Sequence, residues 1–283
     1  MKNGFTFIDK PEGLTSHDVV AQVRRLLATK KVGHAGTLDP FATGLLILGV
    51  NKATRLLTFL VGLDKSYSAT VRLGESRDTD DKEGAITATS SVSHLEEGQI
   101  RDVVASFRGQ QMQIPSTYSA KKISGQTAYS LARRGESVEL AAKQIEIKEL
   151  SILQISIVDE FIDIGIELTC SSGTYVRALA RDIGNVLGVG AHLTKLRRLS
   201  VGSFSVNEAR NIESLEIHSM KDICSKVMPI SDVTADQVQA IRHGKPLQLD
   251  VPNGVRALVN ADDVIAIIDA VEGKVHYKVV LAE

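Results

Sequence analysis

The chain has 283 residues, 43% of them hydrophobic and 24% charged, the balance of a globular protein with one large core or a large and a small one. No apolar run approaches the roughly 18–20 residues of a membrane span. The start MKNGFTFIDKPEG lacks the apolar stretch of a secretory signal, and the distant Cys170 and Cys224 argue against a disulfide scaffold or structural zinc. A cytoplasmic protein is expected. The net charge of −1 hides an asymmetry: eight Lys/Arg face four Asp/Glu from Met1 to Leu60, and eight face twelve from Val201 to Glu283. Either the basic part meets a polyanion, or two solvated surfaces differ in sign.

Phe5 to Asp9 reads as a short strand closed by KPEG, a turn signal. In LTSHDVVAQVRRLLA, Thr15 and Asp18 have the spacing of a capping box, with Asp in place of Glu. Val19, Val20, Val23, Leu26 and Leu27 then recur at helical spacing, with Arg24 and Arg25 on the polar side. Next comes GHAGTLDPFATG, residues 33–44. Pro40 disfavours helical torsions at Asp39, and Gly33, Gly36 and Gly44 permit sharp or closely approached backbone. From the residues alone, Asp39 is either a turn former or a lone catalytic carboxylate.

Leu45 to Val50 (LLILGV) is a buried strand or a helix segment, and Tyr67 to Leu73 a strand. Glu75 to Gly84, ESRDTDDKEG, invites a calcium loop and fails on spacing. With Asp78 and Asp80 at positions one and three, Lys82 falls at five and Glu83 at six. It reads as a solvated turn. From Tyr118 to Arg134, Lys121, Lys122, Arg133 and Arg134 surround a glycine turn, a candidate basic arm within about residues 110–150. Phe161 to Cys170 alternates, with Ile162, Ile164, Ile166 and Leu168 on one face and Asp163, Glu167 and Thr169 on the other.

SSGTYVRALARD (171–182) opens a helix from Tyr175 to Leu187 with Leu179, Ile183, Val186 and Leu187 inward. Arg177 sits near the helix start, where a cation costs some tenths of a kcal/mol against the dipole. It is either an ordinary surface arginine or the partner of a carboxylate such as Asp39. Lys195, Arg197 and Arg198 form a basic cluster, solvated or in contact with phosphate. Residues 200–229 look like a connection. From Ile230, a short helix and the runs RALVN, VIAIID and HYKVVLA suggest a small strand-rich domain. The fold class is α+β, a mixed, mainly antiparallel central sheet with flanking helices over 1–229, followed by a β-rich domain over 230–283.

GHAGTLDPFATG resembles the catalytic motif of the TruB-type pseudouridine synthases. DKSYSATVRLG (64–74), the stretch from Arg77 to Gly84, CSSGTYVRALARDIG and GAHLTKLRRLSVGSF resemble their later motifs, in order, from Phe7 to about Phe204. A weaker likeness in the tail suggests a PUA-type RNA-binding domain. The chain departs from the pattern at IPSTYSAKK, where a PPMYSALK-like stretch is common, and at Arg77 in place of Thr. The resemblance implies the pseudouridine synthase fold and conversion of a uridine in the T loop of tRNA, at tRNA position 55, to pseudouridine, with no cofactor or metal. It makes Asp39 the catalytic aspartate, Tyr67 the tyrosine that stacks on the flipped uracil and is implicated in proton removal, and Arg177 the aspartate's partner. Tyr175 and Leu196 fall at uracil-pocket positions. His34 falls at a position that holds the extruded nucleotide. Lys121, Lys122, Arg133, Arg134, Lys195, Arg197 and Arg198 are candidates for the RNA backbone. A monomer is expected.

Glycosidases use two carboxylates because a leaving group must be protonated and water activated. Here a C–N glycosidic bond breaks, the base turns over and rejoins through carbon, and water must stay out, so one carboxylate can suffice. Pairing with Arg177 should hold Asp39 about 1–3 units below its usual pKa, with burial opposing. The alternatives are an RNA binder that keeps the scaffold without catalysis and a small-molecule glycosyl enzyme.

Overall fold

The structure is a computed structural model that describes residues 2–116, 122–123, 126–127, 140–245 and 247–282. Its first strands are β1 (Gly4–Lys10), β2 (Val32–His34), β3 (Thr43–Val50) and β4 (Lys65–Leu73), with helix α1 (Ser16–Leu26) after β1 and a short α2 (Thr58–Val61) before β4. A hairpin of β5 (Glu75–Arg77) and β6 (Ile86–Thr89), helix α3 (Glu97–Ser106), β7 (Gly109–Gln113) and the two-residue strands β8 (Lys122–Ile123) and β9 (Gln126–Thr127) follow. Then come β10 (Lys143–Val158), β11 (Phe161–Cys170), α4 (Val176–Val186), β12 (Ala191–Val201) and β13 (Phe204–Ser205). Residues 200–229, expected as a connection, also hold a helix, α5 (Met220–Val227).

The central sheet runs β1-β3-β12-β4-β11-β10-β7, with β2 added to β3 and β13 to β12. Its pairs are antiparallel except β3–β12, a short parallel contact in which Arg197 faces Thr43 and Arg198 faces Gly44. This is the α+β class expected. LLILGV is a strand because both of its faces are buried. Leu46 and Leu48 enter the core under α1, α3 and α4, and Leu45 and Ile47 enter a second core shared with Phe5 and Phe7. Burial on both sides accounts for a continuous apolar run without alternation.

The capping box of α1 forms as expected, Thr15 Oγ1 accepting from the Asp18 amide while the Asp18 carboxylate accepts from Thr15 N. Val19, Val20 and Val23 are buried, but Leu26 is 53% exposed, as is Val186 of α4 at 62%. Both lie in the last turn of their helices, past the reach of the sheet. The alternation of β11 holds, Ile164 and Ile166 being fully buried.

A second sheet starts at Ile230. Strands β14 (Ile230–Asp232), β15 (Gly254–Asn260), β16 (Asp263–Val271) and β17 (Lys274–Val280) lie in chain order, with α6 (Ala235–Arg242) after β14. Ala257, Val259, Val264, Ile267 and Leu281 pack into the same core as Phe5 and Phe7, so the two sheets share buried apolar surface. Among the described residues, no helix is long and apolar enough to cross a membrane.

Candidate active site

The chain between His34 and Thr43 is pinned at several points. Ser16 Oγ, at the first turn of α1, accepts from Leu38 N (2.9 Å) and donates to Leu38 O (3.1 Å). Lys10 Nζ, fully buried, donates to Pro40 O (3.1 Å), Leu14 O (2.6 Å) and Pro11 O (2.9 Å). Burial pushes this ammonium down to about 8, with the Asp39 charge opposing. Gly36 and Gly44 have φ of 106° and 102°, the left-handed region that glycine tolerates. A Cβ on Gly44 would stand 2.3 Å from the Arg198 carbonyl, so glycine is also what lets β3 approach β12. Gly33 has no such φ; what restricts it is the Leu57 side chain, 3.1 Å from where its Cβ would be.

These restraints carry Asp39 to the start of α4. Arg177 grips it with two hydrogen bonds, Nε to Oδ2 at 2.9 Å and Nη2 to Oδ1 at 3.1 Å. The same guanidinium donates to Thr79 O (2.7 Å) and lies 3.3 Å from Asp81 Oδ2. The helix start is held by β7. Buried Gln113 accepts from Tyr175 N (2.9 Å) and donates to Tyr175 O (3.1 Å), fixing the backbone of the residue that precedes the helix. Arg177 and Asp81 side chains are each 5% exposed, whereas Asp39 keeps 33%, its carboxylate opening into a cleft.

The turn from Glu75 to Gly84 therefore departs from the solvated one expected. Asp80 and Asp81 are 7% and 4% exposed. Asp80 pairs with Arg181 at 3.2 Å, and Asp81 Oδ1 accepts from Thr79 Oγ1 and Glu83 N while Oδ2 faces Arg177. The expected direction for Asp39 is also corrected. Burial pushes its carboxyl above the usual range, Arg177 pulls it back, and the Asp81 charge adds to the rise. The arginine is shared between two carboxylates, so it offsets less of the rise at Asp39 than it would if it faced Asp39 alone.

The cleft in front of Asp39 has a volume of about 260 Å³ and is walled by Tyr67, Tyr175, Leu196, Lys65, Arg177 and Arg198. That is below the roughly 300–1,000 Å³ of sites for drug-sized ligands. Lys65 Nζ donates to Val61 O and Leu63 O at 2.9 and 2.6 Å, and burial pushes it down to about 8. His34 does not line the cleft. It stands edge-on to His17 with ring centroids 5.6 Å apart and is partly buried.

The profile of the TruB family pseudouridylate synthase N-terminal domain matches residues 24–176, and that of the tRNA pseudouridylate synthase B C-terminal domain matches 177–240. Over 272 residues, 94% of this chain and 91% of the relative, the chain is 48% identical to tRNA pseudouridine synthase B of Mycobacteroides abscessus. It is 45% identical over 269 residues to the protein of that name from an Arthrobacter species, covering 93% and 88% of the two chains. The chain belongs to the TruB family of pseudouridylate synthases. It is an isomerase that forms pseudouridine, and the second profile specifies tRNA. Solved structures agree on the fold. An H/ACA RNP bound to a substrate RNA containing 2′-deoxyuridine aligns over 99% of this chain and 85% of its own, with a TM-score of 0.72 at 23% identity.

The TruB-family assignment does not make the basic cluster on β12 one surface. Lys195 is exposed. Arg197 is half-buried and held by Asp9 through two bonds of 2.7 and 2.9 Å. Arg198 is 1% exposed, its guanidinium donating to Leu45 O (2.7 Å), Gly36 O (3.2 Å) and Thr37 O (3.5 Å). The expectation that Arg198 contacts RNA phosphate is thereby corrected, since strand alternation turns it inward beside Leu196. Lys121, Arg133 and Arg134 lie outside the described residues, and of Lys122 only the backbone pairing is described. Thr79, Asp81, Lys65, Lys10 and Ser16 escaped the sequence reading as site residues, although Lys65 belongs to the DKSYSATVRLG motif.

Proposed function

We propose that the enzyme acts on the T-loop uridine at tRNA position 55 and that Asp39 is its catalytic carboxylate. The observation that carries this reading is the bidentate Asp39–Arg177 pair opening onto a cleft walled by Tyr67, Tyr175 and Leu196. The target uridine is stacked in folded tRNA and must be extruded, at a cost of a few kcal/mol. Stacking against Tyr67 offsets roughly 1–3 kcal/mol of that.

With the base extruded, Arg177 fixes the orientation of the carboxylate and keeps negative charge on it. Asp39 acts as nucleophile or as base while C1′–N1 breaks. The uracil turns over inside the cleft, C1′ bonds to C5, and the proton lost from C5 is matched by the one N1 gains. Tyr67, facing the cleft from β4, is the group placed to take the C5 proton. Leu196 and Tyr175 confine the detached ring, and their apolar surface excludes the water that would hydrolyse the intermediate. Lys195, Arg197 and the arm residues Lys121, Lys122, Arg133 and Arg134 are the proposed backbone contacts. Residues 230–283 are read as a PUA-like RNA-binding unit following a catalytic domain of residues 1–229.

The test is pseudouridine formation in an unmodified tRNA transcript, wild type beside Asp39→Asn. Wild type should convert the T-loop uridine alone, and the variant should bind the transcript with conversion below about 10⁻⁴ of wild type. Conversion at normal rate by Asp39→Asn would remove the carboxylate from the chemistry. Binding without conversion by wild type would leave an RNA binder on an enzyme scaffold.

A further inference from the structure

We propose that Arg198 is a positioning residue for the isomerisation, one that locks the Asp39 loop and aims the Tyr67 hydroxyl, rather than a grip on RNA. The inference rests on the reading of Asp39 and Tyr67 given above. Three observations carry it.

The first is what the guanidinium touches. Its hydrogen bonds go to the carbonyls of Gly36, Thr37 and Leu45, which lie on both sides of Asp39 in the chain. An arginine fork spans such separated acceptors, whereas an ammonium is a single point of attachment. The second is its own backbone. Arg198 is paired with Gly44 on β3 and with Tyr67 on β4, so one residue joins the loop's exit strand to the tyrosine's strand. The third is the placement of Tyr67. It stands directly across from Arg198 on β4, so the two side chains project to the same face and both wall the cleft; burial pushes the phenol up, and the Arg198 charge opposes that rise.

Together these place a fixed positive charge behind both reacting groups. The loop cannot drift from Arg177 while its carbonyls are held, and the same side chain stands beside Tyr67 at the wall of the cleft. Among the described residues no carboxylate pairs with Arg198, whose guanidinium is held by the carbonyls of Gly36, Thr37 and Leu45. A carboxylate in their place would neutralise the cation and compete for the tyrosine.

The test compares Arg198→Lys and Arg198→Met with wild type, in the full chain, by single-turnover conversion at saturating tRNA transcript and by transcript binding across a salt series. Arg198→Met should lower the conversion rate by about 100-fold or more, the scale of a lost preorganised donor, with the dissociation constant and its salt dependence unchanged. Arg198→Lys should recover part of the rate. In a Tyr67→Phe background the Met substitution should cost at least about fivefold less than in wild type, because part of its effect passes through the hydroxyl. A merely structural role predicts equal costs in the two backgrounds and would overturn the proposal. So would an unchanged rate with a salt slope reduced by about 1, the signature of a phosphate contact.

Should Arg198→Met fail to fold, Arg198→Lys carries the same comparison. Hydrogen exchange of the amides of residues 35–45 in the free protein gives a reading that does not depend on which uridine is modified or on whether Asp39 is the catalyst. Faster exchange in Arg198→Lys, confined to that loop, is expected, and unchanged exchange would overturn the loop-locking role.

Discussion

The loop from Gly33 to Gly44 and the turn from Glu75 to Gly84 meet at one guanidinium, yet their sequences point in opposite directions. The first has one carboxylate among glycines and looks built for a purpose. The second is crowded with acids and looks like surface. In the folded chain Asp39 keeps a third of its side chain open to the cleft, and Asp81 is 5% exposed, and both face Arg177. The lone acid is therefore one of two in space. Its counterpart belongs to a segment whose charges serve an arginine rather than water. An acid-rich turn is solvated only when no cation is within reach, and α4 supplies two, the buried Arg177 to Asp81 and the partly buried Arg181 to Asp80.

The largest effect should come from removing the meeting point. Arg177→Met leaves Asp81 buried without its cation, a break that costs about 3–5 kcal/mol, and strips Asp39 of its orienting fork. Conversion should fall about 10³-fold, and the thermal midpoint should drop with it. The acid side of the rate profile should also move to higher pH. Burial already raises the Asp39 carboxyl and Arg177 is what opposes that rise, so without the arginine the carboxylate protonates at higher pH. A rate profile that keeps its acid limb in place would separate Arg177 from the ionisation of Asp39.

Asp81→Asn sharpens the comparison by acting with the opposite sign. The Asp81 charge raises the Asp39 carboxyl, so its removal lets the ionised form persist to lower pH. The acid limb should shift downward. The maximal rate should fall roughly 10-fold, the size of one lost charged hydrogen bond. The two variants, measured side by side across acid to neutral pH, should move the limb in opposite directions. Movement in the same direction would mean that Asp81 acts on the shape of the turn and not on the charge of Asp39.

What the sequence made legible follows from where its signals are local. The β11 alternation, the α1 capping box and the inward face of α4 around Leu179 and Ile183 are set within a few residues, and the structure keeps them. Asp39 and Arg177 became a pair through the ordered motifs of a family resemblance; spacing within the chain gives no hint that residues 138 apart touch. Asp81 and Arg198 were misread because the deciding partner is distant. A buried cation for Asp81 arrives from α4, and the acceptors for Arg198 are bare carbonyls, which leave no mark in the sequence. One local clue to Arg198 was present. If HLTKLRRLSV is a strand, Leu196 and Arg198 share a face, and a residue sharing a face with a pocket leucine is not on the surface.

The smallest effects test how the loop is held from the α1 side, and they involve adjacent residues. Thr15 caps α1 from an exposed position, and Thr15→Ala should lower stability by about 1 kcal/mol without altering conversion, since none of its bonds reaches the loop. Ser16 is buried, and among the described residues its hydroxyl bonds only across to Leu38. Within the helix Ser16→Ala is favourable by propensity, so any loss must come from the Leu38 amide left unpaired, a cost of about 1–3 kcal/mol. Because Leu38 adjoins Asp39, that variant should also slow conversion several-fold. Equal behaviour of the two variants in melting and in single-turnover rate would mean that β1, β3 and Arg198 hold the catalytic loop by themselves, and that the helix start contributes only its own cap.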